Sequence, residues 1–174
     1  MQVFEELTSI ADITAARIEM ISWYRSHDRA TLLRYLQTAT LAAGAREGVA
    51  RLKRFGVQVA LVSITWQFAV EWLATELGAD FAVGTRWREA DDQVEHFWSE
   101  DKPAWLAKQA AELGLRPAEI VAIGDSAGDL PMLQFAGQGY YVGRNAPDLP
   151  SHVKHWPAAD IADIVRDLLG REVQ

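Results

Sequence analysis

A chain of 174 residues, 49% of them hydrophobic, is long enough for one compact domain with a sizeable core and too short for two full domains. Its formal net charge of −7 argues against a general binder of nucleic acid or anionic membrane, because phosphate backbones and acidic headgroups select clustered Lys and Arg. The absence of cysteine removes disulfides, thiolate metal sites and thiol nucleophiles, and no apolar run of membrane-spanning length and no basic-then-apolar start is present, so a soluble cytoplasmic protein is expected.

Residues 1 to about 41 read as helical. Val3, Phe4, Leu7, Ile10 and Ala11 fall at helical spacing, and Ile18, Ile21, Trp23 and Tyr24 continue it after a break near Asp12 to Thr14. Asp28 stands as N-cap before a further run of Leu32, Leu33 and Leu36. His27 beside Asp28 reads as part of an exposed turn rather than a catalytic pair, and the aromatic residues read as packing surface.

The organisation changes at Gly44. Ala45 to Phe55 is an amphipathic helix closed by Gly56, and Val57 to Val62 follows as a mostly apolar strand ending in Ser63-Ile64-Thr65. A helix from about Trp66 to Leu77 is closed by Gly78, and Asp80 to Gly84 forms a short strand. This alternation predicts an α/β fold, a parallel sheet with crossover helices. Ser63 thus sits at the carboxyl end of a strand and before a helix, where a hydroxyl and free amides suit a phosphate; an ordinary N-cap by Ser63 or Thr65 is the competing reading.

Thr85 to Arg88 and Val94 to Trp98 read as a β-hairpin projecting from the sheet, with His96 a surface histidine that lacks partners for activating a nucleophile. Ser99-Glu100-Asp101 caps a helix from Lys102 to Leu113, ended by Gly114. A cation opening a helix opposes the macrodipole, so Lys102 either reaches for an anion or is a solvated surface lysine.

Ile120 to Gly124 is a buried parallel strand that runs into Asp125, and a helical pattern (Leu130, Met132, Leu133, Ala136) starts after Asp129. Ligands of open α/β sheets sit at the carboxyl ends of strands, and two carboxylates there suit Mg²⁺. The alternative is that Asp125 turns the chain and Asp129 adds charge to a helix N-terminus. Gly139 to Gly143 is one more strand, Arg144 to Pro147 starts a loop holding His152 and His155, and a final helix spans about Ala159 to Leu169.

Ser63 after a strand, Lys102 at a helix start and Gly-Asp-x-x-x-Asp after another strand, in this order, resemble the haloacid dehalogenase superfamily and its phosphoserine phosphatase-like branch. The resemblance covers about residues 44 to 145, and Asp125-Ser126-Ala127-Gly128-Asp129-Leu130-Pro131-Met132-Leu133 is its most specific stretch. It implies a three-layer Rossmann-like fold in one domain, residues 1–174, with a helical cap element over 1–43 and an α/β core over 44–174. It also implies a Mg²⁺-dependent phosphatase that hydrolyses a small phosphorylated metabolite through an aspartyl-phosphate. Ser63 and the amides of Ile64 and Thr65 would hold the phosphoryl group, and Lys102 would neutralise charge. Asp125 would ligate Mg²⁺, with Asp129 binding it or ordering its waters.

The family's first strand, which ends in Asp-x-Asp and supplies the nucleophile, lies between the strands ending at Ser63 and Asp125, and no such segment occurs in this sequence. Val3 to Ser9 is the nearest candidate, rejected because two glutamates would be buried in a central strand. The expectation is a chain beginning just after that motif, through a late start or shortening, and impaired in catalysis. A catalytically inactive phosphate- or Mg²⁺-binding or regulatory pseudoenzyme is the alternative. A dinucleotide binder is disfavoured because no Gly-x-Gly-x-x-Gly follows a strand. No nucleic-acid or membrane partner is expected, and oligomerisation by strand exchange follows only from the incomplete sheet.

Overall fold

The computed structural model describes residues 9–157 and 160–170. Two helices come first, α1 (Ile10–Tyr24) and α2 (Arg29–Leu36). Ser9 caps α1 by accepting from the Asp12 amide at 3.0 Å, so the polar residues that suggested a break near Asp12 to Thr14 are in fact its first turn. Asp28 caps α2 as expected, accepting from the Thr31 amide at 2.6 Å. Ile13, Arg17 and Ile21, four residues apart, form the buried stripe of α1. The expected helical residues Val3, Phe4 and Leu7, and the Val3 to Ser9 candidate strand up to Thr8, lie outside the described residues.

The core then follows as α3 (Ala45–Arg54), β1 (Ala60–Trp66), α4 (Gln67–Leu77), β2 (Phe81–Arg88), β3 (Gln93–Glu95), α5 (Asp101–Glu112), β4 (Val121–Gly124), α6 (Leu130–Phe135), β5 (Gln138–Tyr141), β6 (Val153–His155) and α7 (Ile161–Gly170). At the end of α3, Gly56 takes φ 75° and the Val57 amide returns to the Leu52 carbonyl at 3.1 Å. Val57 therefore belongs to a helix-closing motif, and the strand begins three residues later than its apolar run suggests. It ends at Trp66, one residue past the Ser63-Ile64-Thr65 expected to close it.

β1 pairs parallel with β2, and β2 turns antiparallel onto β3. The expected strand at Asp80 to Gly84 and the first arm of the hairpin are one continuous strand, and the hairpin's return arm pairs only over Gln93–Glu95. Arg25, just past α1, ties the hairpin loop back through Asp92. A second sheet runs β4, β5, β6, all parallel. The segment 153–155, expected as loop, is a strand on β5; at three residues its pattern is too short to read from sequence.

The expected parallel sheet is therefore divided. β1 and β4 are the end strands of separate three-stranded sheets, and among the described residues they do not pair with each other. Both line one cavity of about 770 Å³, which Leu61 and Val62 enter from β1 and Ala122 and Ile123 from β4, with Val49 of α3 and Val165 of α7 closing it. A compact apolar cluster lies beside it, with Ala122, Met132, Leu133, Ala136, Tyr141 and Val153 buried together. No described helix is long and apolar enough to cross a membrane.

Candidate functional site

Ser63, Ile64 and Thr65 sit at the carboxyl end of β1, Asp125 directly after β4, Lys102 at the start of α5 and Asp129 at the start of α6. Ser63, Ile64 and Thr65 occupy an irregular stretch of β1. Val62 pairs with Val83 and Trp66 with Thr85, so three residues of β1 span what the single residue Gly84 spans in β2. A Cβ on Gly84 would lie 2.6 Å from the Thr65 carbonyl oxygen, so the close approach of the two strands depends on glycine. Gln67 makes up for the interrupted ladder: its side chain accepts from the Gly84 amide at 2.6 Å and donates to the Ala82 carbonyl at 3.2 Å.

The N-cap reading of Ser63 and Thr65 is not met. Helix α4 begins only at Gln67, with Trp66 as an N-cap that makes no side-chain bond. The Ser63 hydroxyl instead accepts from the Thr65 amide at 3.2 Å. The amides of Ile64 and Thr65 accordingly belong to the strand's irregular end and not to a helix first turn, because the pairing of Trp66 with Thr85 keeps the chain extended.

Lys102 is buried and its ammonium donates to Asp129 Oδ1 at 2.6 Å. The solvated-lysine reading therefore fails, and the cation at the start of α5 is compensated by a carboxylate from another loop. The other oxygen of Asp129 accepts from the Asp125 and Ser126 amides, each at 3.1 Å, and from the Ser126 hydroxyl at 2.8 Å. Burial pushes the Asp129 carboxyl up, but the charge and hydrogen bond of Lys102, with the bonds from Ser126, outweigh it and hold the group below the usual carboxylate range. Asp129 is thus ionised and both of its oxygens are engaged.

Asp125 differs. It is exposed, and its carboxylate makes no hydrogen bond or ion pair among the described residues. For a hard cation such as Mg²⁺, which keeps several waters and needs one or two carboxylates, the donor set fits through Asp125. Asp129 fits as the group that holds the loop, since direct ligation would require it to give up Lys102 or the Ser126 bonds. No cluster of three or more His, Cys, Asp or Glu side chains able to hold a metal occurs among the described residues. The two loops share a cavity, which Ser63, Thr65 and Asp129 all line.

Gly124 makes the Asp129 geometry possible, because a Cβ there would lie 2.4 Å from Asp129 Cβ. Gly124→Ala is expected to displace Asp129 and destabilise the fold by about 1–3 kcal/mol, read by urea unfolding. A change within about 0.5 kcal/mol would show that the loop yields without cost.

Sequence reasoning missed Arg17 and gave His96 too small a part. The Arg17 guanidinium reaches from α1 to the Ile64 carbonyl at 2.6 Å and to His96 Nδ1 at 2.8 Å, and it lies 4.5 Å from the Trp98 ring centroid. Burial, and then the charge of Arg17, hold His96 below its ordinary value, so the ring stays neutral and accepts. The signal available in the sequence was an arginine midway between Ile13 and Ile21, inside an apolar stripe.

Comparison with known proteins bears on the family and the fold. The model of haloacid dehalogenase-like hydrolases matches residues 4–134. The chain is 32% identical over 179 residues to a phosphoserine phosphatase of Streptomyces coelicolor, covering 92% of this chain and 43% of that protein. To a phosphoserine phosphatase of Streptococcus thermophilus it is 36% identical over 102 residues, covering 55% of this chain and 47% of that protein. It therefore spans less than half the length of these two curated relatives. Among solved structures, a substrate-bound phosphoserine phosphatase complex matches with TM-score 0.65 at 27% identity, over 79% of this chain and 67% of that one. The 3-deoxy-D-manno-octulosonate 8-phosphate phosphatase of Moraxella catarrhalis, solved with magnesium and phosphate ions, shares the fold with TM-score 0.55 at 19% identity, over 75% of this chain and 76% of that one.

Proposed function

The chain belongs to the haloacid dehalogenase-like hydrolase family, and on that premise we propose that its site is that of a Mg²⁺-dependent phosphatase for a small phosphorylated metabolite. In this reading the type is phosphoserine phosphatase-like, the reaction runs through an aspartyl-phosphate, and the chain as it stands is impaired because its sequence holds no Asp-x-Asp. The observation that carries the proposal is the buried Lys102–Asp129 pair at 2.6 Å, whose carboxylate also accepts from the Asp125 amide. A buried ion pair of this kind contributes little net stability over apolar packing, so its presence here points to the electrostatics of the site.

Within this reading the Ser63 hydroxyl and the amides of Ile64 and Thr65 hold phosphoryl oxygens, the Thr65 amide exchanging its bond to Ser63 for one to the anion. Lys102 keeps the carboxylate and phosphoryl charges of the site from repelling one another. Asp125 offers the protein ligand for Mg²⁺, and Asp129 fixes the loop that carries it. Mg²⁺, when bound, supplies Lewis-acid stabilisation of a phosphoryl oxygen. The helices α1 and α2 form the cap element that selects the leaving group, and α3 to α7 form the catalytic core.

A second reading is a phosphate- or Mg²⁺-binding pseudoenzyme. It draws on the carboxylates at the site among the described residues, Asp125 and Asp129, which are assigned to the metal and to Lys102, leaving none as nucleophile. Assay of O-phosphoserine and p-nitrophenyl phosphate hydrolysis, with and without Mg²⁺, tests the impairment, and ion binding tests the site that both readings share. The expected result is turnover near background, with Mg²⁺ and inorganic phosphate still shifting the amides of Ser63 to Thr65 and of Asp125. Robust Mg²⁺-dependent turnover lost in Asp125→Asn would remove the impairment, and absence of both ion responses would remove the site.

A further inference from the structure

Tyrosine apart, the described residues bury three polar or charged side chains, Arg17, Thr85 and Lys102, and all three end on the candidate site. Lys102 serves the Asp125 loop. The other two converge on one atom: Arg17 Nη2 at 2.6 Å and Thr85 Oγ1 at 2.9 Å both donate to the Ile64 carbonyl.

Arg17 is an expensive way to make that contact. It is 1% exposed, burial pulls its pKa down to about 10, and it forms no ion pair with a carboxylate among the described residues. Its charge is met instead by the carbonyls of Ile64 and Phe97, the latter at 3.3 Å, by His96 Nδ1 and by the face of Trp98. His96 is itself stacked on Trp98, with centroids 4.9 Å apart. Anchoring α1 alone would be achieved more cheaply by an apolar residue, as Ile13 and Ile21 achieve it one turn to either side.

The Ile64 carbonyl matters because of what shares its peptide plane. A trans peptide points its C=O and N–H in opposite directions, so holding the Ile64 oxygen also aims the Thr65 N–H. That N–H points to the Ser63 hydroxyl. Between Val62 and Trp66 the β1–β2 ladder does not fix this plane, so side chains must do so.

We propose that Arg17 is a positioning residue for the phosphate-holding turn: it ties the helix α1 to the Ile64 carbonyl and thereby aims the Thr65 amide beside the Ser63 hydroxyl. The inference rests on the reading of Ser63 to Thr65 as a phosphate site. Thr85 holds the same oxygen from β2, so the turn is clamped by one donor from the core and one from α1.

The test is a titration of the ¹⁵N-labelled chain with inorganic phosphate, following the Ser63 to Thr65 amides. It compares Arg17→Met, Arg17→Lys, Thr85→Val and, as a control that loosens α1 away from the turn, Ile21→Ala. Arg17→Met and Thr85→Val are expected to shift the free Thr65 amide and weaken phosphate by about tenfold. Arg17→Lys should recover part of this, and Ile21→Ala should lower Tm with phosphate affinity unchanged. If Arg17→Met does not fold, Thr85→Val and Arg17→Lys test the same carbonyl. Wild-type affinity in the Arg17 and Thr85 variants, or an equal loss in Ile21→Ala, overturns the inference alone. No phosphate response in the wild-type chain overturns the functional reading and the inference with it.

Discussion

Replacing Lys102 with methionine is expected to cost the fold roughly 3–5 kcal/mol, because it leaves the Asp129 carboxylate buried without its cation. The two side chains are 5% and 13% exposed, so solvent screening cannot take over the role of the ammonium. The Asp125 and Ser126 donors would remain, which is why the loss stays short of full desolvation. Urea unfolding measures the effect, and a double variant, Lys102→Met with Asp129→Asn, should recover part of it by removing the uncompensated charge. The pH dependence provides a second reading of the same pair. The folded-state carboxyl of Asp129 lies below its unfolded value, so its contribution is complete above the ordinary carboxylate range near pH ~3.9 and is lost as pH falls through the folded value. Without Lys102 the opposing desolvation dominates and the folded-state carboxyl lies above its unfolded value, so in the variant the Asp129 contribution should improve, not decline, as pH falls through the folded value. Parallel profiles of Tm between about pH 3 and 7 would mean that Lys102 does not govern Asp129.

The parts of this site that could be read from sequence were those in which one residue type serves one local purpose. Asp28 capped its helix, Gly56, Gly78 and Gly114 adopted positive φ after helices, and the apolar run before Asp125 became a strand ending at a loop. Lys102 was legible as a misplaced cation, although the charge it meets in the structure is that of Asp129. Arg17 was hardly legible, because its partners lie 47 and 79 residues away and the local signal is confined to its place between Ile13 and Ile21 in an apolar stripe. The irregular pairing of β1 at Ser63-Ile64-Thr65 was hidden for a related reason. It is set by Gly84 and Gln67, which act across the sheet and leave no periodic signal in the strand itself. The break read into α1 shows the opposite error: Asp12 and Thr14 look disruptive as a pattern, yet a capped first turn takes polar residues readily.

The divided sheet leads to the other large effect. Amides of β1 and β4 are expected to fall into two classes, with those bonded to β2 or β5 protected and those directed away from them exchanging about 100-fold faster or more. The comparison strand is β5, which is paired on both sides, to β4 and β6. In a strand, successive N–H groups point to opposite edges, so an end strand shows this alternation and a central strand does not. An apolar cavity of about 770 Å³ lined by the same two strands should also take up a hydrophobic dye such as ANS. Uniform protection of β1 and β4, as strong as that of β5 and without dye uptake, would mean that another segment completes the pairing. Dilution then distinguishes its source. Protection that falls as the protein is diluted belongs to a second copy of the chain, whereas protection independent of concentration belongs to the chain's own residues outside those described.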